Sequence, residues 1–259
     1  MTYSTLNFNN LVSLKIPSDE EEIRLLQIQT GFENLDWVQS IAVLENRTYT
    51  RINRLLDTFK TLPDGATIVD IGAGNSLVDL ALATLFREKN FKFILVDADE
   101  FLNSEQYKSP KGPWNSEHYN ENGYNPYNDW SFVKKTIELN NLPLENFSFV
   151  HPDNFRECNA DVIMSFASYG WHYPLETYLD LITTGLKKNG YLSFMPLMNA
   201  NNAMDKLNSR FGSTVLFEKF NFDPKGFNEK EAKKIEVQIA ASKLFREPFG
   251  YHVIWKKTI

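Results

Sequence analysis

The chain opens with residues 1–17, which show little regular pattern of apolar and polar positions. Ser18 followed by Glu21, within SDEEEIRLLQIQ, has the spacing of a capping box and predicts a short helix from there. A second helix is predicted over about 44–60, where Ile52, Leu55, Leu56 and Phe59 recur at i, i+3, i+4 and i+7. Leu62-Pro63-Asp64-Gly65 then stops it and turns the chain. Beyond this point the pattern alternates. ATIVDI (66–71) is a short apolar run ending in glycines, and LVDLALATLFRE after it reads as a helix. FKFILVD (91–97), FSFVH (147–151), ADVIMSF (161–166) and GYLSFMPL (190–197) are further buried strands. Helical stretches lie between them, such as LETYLDLITTGLKK with Leu175, Tyr178, Leu179 and Ile182 on one face.

Strands apolar on both faces that alternate with helices predict a parallel sheet covered on both sides. TVLFEKF (214–220) and YHVIWKK (251–257) have strand composition and are expected to close the sheet as an antiparallel pair. The charged NEKEAKKIE between them reads as a solvated helix face. The fold class expected is α/β: a Rossmann-like, doubly wound, mostly parallel seven-stranded sheet with an antiparallel C-terminal pair, plus N-terminal helices. The division expected is a helical extension over 1–63 and a ligand-binding domain over 64–259. One stretch breaks the alternation. Residues 101–130 form a polar insertion carrying Trp114, Tyr119, Tyr124, Tyr127 and Trp130, and a loop this long is usually functional or disordered. Its aromatics suit a satellite core that holds the loop down as well as a lid over a substrate.

Composition narrows the function classes. Hydrophobic residues at 42% support a sizeable core, and 27 basic against 33 acidic residues give a net charge of −6. No basic footprint for nucleic acid or an anionic membrane is evident, so neither is expected as a partner. The single cysteine, Cys158, excludes an internal disulfide framework and a cysteine-cluster metal site, and reads as an inert thiol. No apolar stretch approaches a membrane span, and a cytoplasmic location is expected.

Chemistry concentrates in IVDIGAGNS (68–76), where a strand runs into Gly72-Ala73-Gly74-Asn75 and a helix follows. Ligands of open α/β sheets sit beyond the carboxyl ends of the strands, where a glycine turn lets backbone approach them. Residue 77 is leucine, so the dinucleotide fingerprint fails at its third glycine. Carboxylates ring the same crevice: Asp70 before the turn, Asp97 and Asp99 at the second strand end, and Asp153 after the third. Such a ring repels a pyrophosphate. It suits a ligand with ribose hydroxyls, an exocyclic amine, an ammonium and a sulfonium, which is S-adenosylmethionine.

On these residues the chain resembles the class I S-adenosylmethionine-dependent methyltransferases over roughly residues 64–257. The resemblance aligns the family's glycine-rich motif with Asp70-Ile71-Gly72-Ala73-Gly74-Asn75-Ser76, serine standing where a third glycine is common. It implies that Asp97, with Ala98 beside it, holds the ribose, and that Asp153 and the following Asn154 read the adenine. Asp99 remains an alternative to Asp97. It also implies that Ser165 to Pro174 faces the transferred methyl group and the acceptor. That segment, SFASYGWHYP, places Tyr169, Trp171, His172 and Tyr173 within a few residues and is loosely similar to sugar O-methyltransferases of bacteria and phages. His172 is the candidate general base, with Tyr169 and Tyr173 orienting the acceptor, although a packed imidazole is an equal reading. No acidic ligand set follows the fourth and fifth strands, so a metal is not indicated. Asn125-Pro126-Tyr127 matches part of a motif of amino-methylating DNA enzymes but stands in the wrong place for it.

Methylation of a small or sugar-like acceptor is the leading expectation. A catalytically silent binding protein of this fold is the second, and a nicotinamide-dependent oxidoreductase a weaker third, disfavoured by Asp70 and Leu77. His118, His151 and His252 carry no assigned role, and the oligomeric state is not readable.

Overall fold

The computed structural model describes residues 2–30, 36–97, 130–166, 176–195, 203–211, 214–219 and 251–258. The chain begins not with coil but with an antiparallel hairpin, β1 (Tyr3–Phe8) and β2 (Val12–Pro17). Asn9 and Asn10 supply the positive φ that its turn requires. Leu6, Phe8, Leu14 and Ile16 are all fully buried in one core with residues of the following helices and strands. The 1–63 segment is therefore not purely helical. The apolar side chains on one face of the hairpin are spaced by two, a pattern short enough to pass for irregular sequence.

Helix α1 spans Glu20–Thr30, and its cap is Asp19 rather than Ser18, since Asp19 Oδ1 accepts the Glu22 N–H at 3.1 Å. The Ser18 N–H is already given to the Thr2 carbonyl, which extends the hairpin ladder by one residue and moves the helix start. Helix α2 runs Trp37–Thr61, seven residues earlier than expected, because Asp36 and Gln39 form a reciprocal capping box. It ends where expected: Leu62 is extended and the Ala66 N–H bonds to the Pro63 carbonyl across Gly65, whose φ is 69°.

Five strands then pair in parallel: β3 (Thr67–Ile71), β4 (Lys92–Val96), β5 (Phe147–Val150), β6 (Ala160–Ser165) and β7 (Leu186–Phe194). Between them lie α3 (Leu77–Leu85), α4 (Trp130–Leu139) and α5 (Glu176–Gly185). After α6 (Ala203–Phe211), β8 (Thr214–Lys219) and β9 (Tyr251–Lys256) close the sheet as the expected antiparallel pair. Among the described residues the order across the sheet is β5-β4-β3-β6-β7-β9-β8. β7 begins earlier than expected, at Leu186. A register shift near Gly190, whose missing Cβ would meet the Asp161 carbonyl at 2.9 Å, joins its two halves.

The two faces of the sheet bury separate cores. Ile68, Phe93, Leu95, Val162, Met164 and Ile254 point to the side of the hairpin, α2, α3 and α4. Val69, Ile71, Val96, Ile163, Phe194 and Trp255 point to the side of α5 and α6. The alternation places Asp70 in β3, Ser193 in β7 and His252 in β9 on the α2 face, where apolar residues would otherwise continue. Among the described residues no helix is long and apolar enough to cross a membrane.

Candidate functional site

The chain leaves β3 in one direction to β4 and β5 and returns to β6 on its other side, so a crevice opens beyond Ile71 where the strand order reverses. The glycine turn fills its rim. Gly72 has φ 77° and gives its N–H to the Val96 carbonyl at 2.8 Å, and the Ala73 N–H reaches the same oxygen at 3.3 Å. Gly74 has φ 54°, and a Cβ there would meet nothing within 4 Å, so the glycine serves conformation and leaves open space beside it. Its N–H donates to Asp97 Oδ2 at 2.7 Å. Asn75 Oδ1 accepts the Leu77 N–H at 3.3 Å, and Ser76 adopts φ 53°, the left-handed conformation that a third glycine would take.

Asp97 thus has a structural bond that sequence reasoning did not foresee. Its carboxylate ties the glycine turn to the end of β4, while its own N–H continues to the Val150 carbonyl at 3.1 Å. Asp153 lies in a 3₁₀ turn, Pro152–Asn154, with an exposed carboxylate 3.6 Å from His151 Nδ1. Its N–H donates to His151 Nδ1 at 3.2 Å. The Asn154 N–H is given to the His151 carbonyl at 2.8 Å, so the amide implied for adenine is engaged within the turn. Asp153 and Asp97 share a neighbourhood, because both add to the burial that pushes the Tyr178 phenol up to about 12. Ser165 gives its hydroxyl proton to the Ile71 carbonyl at 2.7 Å, stitching β6 to β3 below the turn. Ala98, Asp99, Tyr169, Trp171, His172 and Tyr173, and residues 101–129 of the insertion, lie outside the described residues.

Two groups that sequence reasoning missed stand on the α2 face. Asp79 is fully buried in the first turn of α3, facing Asp70, itself 4% exposed. As two carboxylates they leave Asp70 Oδ1 and both Asp79 oxygens without a hydrogen-bond partner. A single proton converts that clash into a hydrogen bond. Burial, then the Asp70 charge, raise Asp79 well above the usual carboxylate range, so it holds the proton and donates it. Burial also raises Asp70, to about 7, opposed by the bond from Asp79 and by the Arg51 charge. The signal was present: one acid inside the otherwise apolar LVDLALATL cannot turn to water.

The second group is basic. Arg47, Arg51 and Arg54 occupy positions i, i+4 and i+7 of α2. Protein surrounds Arg47 and Arg51 closely enough to pull their guanidinium groups down to about 10, yet Arg47 remains open to water and Arg51 half-buried. Arg51 Cζ stands 5.2 Å from the centroid of Phe166, just past β6, and Phe166 meets the His252 ring edge-on at 5.6 Å. His252 Nε2 is 2.7 Å from Ser193 Oγ, and burial followed by Arg54 and Arg51 lowers the imidazole to about 3, so it is neutral.

No known family model and no curated protein matches the sequence. Solved structures do share its fold. A protein assigned as a sarcosine dimethylglycine methyltransferase from Galdieria sulphuraria is similar at 11% identity and a TM-score of 0.52, over 92% of this chain and 99% of that one. A protein assigned as a class I S-adenosylmethionine-dependent methyltransferase from Listeria monocytogenes is similar at 12% identity and a TM-score of 0.50, over 93% and 76%. The fold is that of the class I methyltransferases, as the resemblance in the glycine turn implied.

Proposed function

We propose that this chain is an S-adenosylmethionine-dependent methyltransferase acting on a small-molecule acceptor. The observation that carries the reading is the glycine turn at the reversal of strand order, open beside Gly74, with the half-exposed Asp97 carboxylate at its rim. The turn lets backbone approach a ligand closely, and the carboxylate accepts from hydroxyl donors. When bound, the cofactor supplies a methyl group already activated on a sulfonium sulfur.

The residues fit the rest of the ligand. Gly72, Ala73, Gly74 and Asn75 offer close backbone approach, and Asp97 at the end of β4, with Ala98 after it, takes the ribose hydroxyls while keeping its bond to Gly74. Asp153 and Asn154 flank the adenine. Since the Asn154 N–H is engaged, the exposed Asp153 carboxylate is the reader there. Ser165 contributes position rather than a donor, its proton being committed to Ile71.

O-methylation of a sugar-like acceptor is the finer proposal. A neutral alcohol is a poor nucleophile and needs a base, and His172 in SFASYGWHYP is proposed to take its proton, with Tyr169 and Tyr173 orienting the acceptor. A general base contributes about 10²–10⁴-fold, so His172→Ala should cut turnover by that order and leave cofactor affinity nearly unchanged. Single-turnover assays of this variant, once an acceptor is in hand, decide the role; near-normal turnover would return the base to another residue.

A further inference from the structure

Arg51 poses a problem that the cofactor does not solve. A guanidinium carries five N–H donors and no acceptor. Here it is half-buried, lies over the Phe166 ring, and none of its donors meets a hydrogen-bond acceptor among the described residues. Arg47 and Arg54, one turn before and one after, have interactions of their own, and they keep Arg51 in a field of like charge. A half-desolvated cation with open donors beside two others is an arrangement that costs stability unless something anionic meets it. Asp70 is near enough to be felt, but makes no ion pair with it.

The location says which anion. Asp97 and Asp153 stand at the ends of β4 and β5, on one side of β3. Arg51 lies toward the other side, over Phe166 at the end of β6, and Arg51 and Arg54 both act on His252 at the start of β9. The arginine face therefore covers the half of the crevice opposite the ribose and adenine end. Beneath it lie Phe166 and His252, both buried and packed edge to face. His252 is held neutral and hydrogen-bonded to Ser193, so it adds no charge that would compete for an anion.

We propose that Arg51, flanked by Arg47 and Arg54, is an anion-recognition site that seats a carboxylate or phosphate group of the methyl acceptor. The proposal rests on the methyltransferase reading for the word acceptor, while the anion site itself rests on the arginine geometry. The guanidinium fork takes two oxygens of such a group in parallel, fixing its orientation as well as its charge. The contact with Phe166, 5.2 Å from Cζ to the ring centroid, uses none of the N–H donors and leaves them for the anion.

The test titrates inorganic phosphate and benzoate, with benzamide as the neutral isostere of benzoate, into protein saturated with S-adenosylhomocysteine. At least one anion should bind, and benzamide should bind at least about tenfold more weakly than benzoate if benzoate is the one, as loss of a charge-assisted pair requires. Arg51→Gln should weaken the anion about tenfold or more, Arg51→Lys by less, and the affinity for S-adenosylhomocysteine should stay within about twofold. Arg54→Gln, expected to lose a smaller part of the anion affinity, serves if Arg51→Gln does not fold. The proposal is overturned if neither anion binds, if benzoate binds and benzamide matches it, or if the arginine variants bind the anion normally. It is also overturned if Arg51→Gln weakens S-adenosylhomocysteine tenfold and spares the anion, since Arg51 would then serve the cofactor's own carboxylate. Failure of the wild type to bind S-adenosylhomocysteine instead strikes the methyltransferase reading, and the same anion titration on the bare protein still judges the arginine site.

Discussion

Asp97 and the Asp70–Asp79 pair carry opposite electrostatic problems within a few residues of one turn. Asp97 accepts a backbone N–H from Gly74 and keeps its carboxylate half-exposed. Charge-assisted bonds of this kind are worth about 1.5–3 kcal/mol each, so Asp97→Ala should weaken binding of S-adenosylhomocysteine at least about tenfold. Calorimetry on the variant measures this, and unchanged affinity would remove Asp97 from the ribose role. In the buried pair the sign is reversed. The folded chain keeps protons on Asp79 and Asp70 at pH values where unfolded carboxyls, with an ordinary value of 3.8, have lost them. The folded state therefore binds more protons, and its stability falls as pH rises above 3.8; the Asp70 part levels past about 7, while the Asp79 part continues until Asp79 loses its own proton. Asp79→Asn keeps a donor for Asp70 and removes the titration of Asp79. It should raise the melting temperature at pH 8 and gain less at pH 4. Equal effects at both pH values would show that Asp79 is not the proton holder.

The strands were readable because short apolar runs rich in β-branched and aromatic residues, bounded by turn signals and too short for helices, alternate with longer helical patterns. β3, β4, β5, β6, β8 and β9 all fall within two residues of the runs that mark them. Helix starts were placed less closely. Trp37, Ile41 and Leu44 carry the helical spacing back to the Asp36–Gln39 box that opens α2, so that start was legible, whereas the Ser18 cap lost to Asp19 because the hairpin took the Ser18 N–H. The hairpin itself was invisible, since two six-residue strands carry only two or three inward apolar side chains each. In the candidate site the backbone parts were legible: the turn, its left-handed glycines and the strand-end acids. Arg51 was not, because its meaning comes from a neighbour on another element, and Asp79 showed only as a lone acid in an apolar helix, its partner Asp70 lying on β3. The hairpin also makes a prediction. Phe8 is fully buried against the shared core, and Asn140 brackets the Lys15 backbone from α4. Phe8→Ala should cost about 3–5 kcal/mol of global stability by denaturant unfolding, as a central core residue does. A loss confined to a separate, weaker transition would mean that the hairpin folds apart from the sheet.

At the scale of the molecule, one reversal of strand order organises everything described. It opens the crevice, sets the glycine turn and Asp97 on one side of Asp70, and sets Phe166, His252 and the arginine face on the other. On the proposed reading the ribose and adenine fall to one half of the sheet and the acceptor to the other, with the buried carboxylate pair between them. The measurement that bears most directly on this account is isothermal titration calorimetry of the chain with S-adenosylmethionine, S-adenosylhomocysteine and NAD, paired with thermal unfolding in each ligand. Both sulfur ligands should bind while NAD does not, and each at a hundred times its dissociation constant should stabilise the fold by about 2.7 kcal/mol. Binding of NAD, with neither sulfur ligand bound, would contradict the reading of the acidic crevice and of the function built on it.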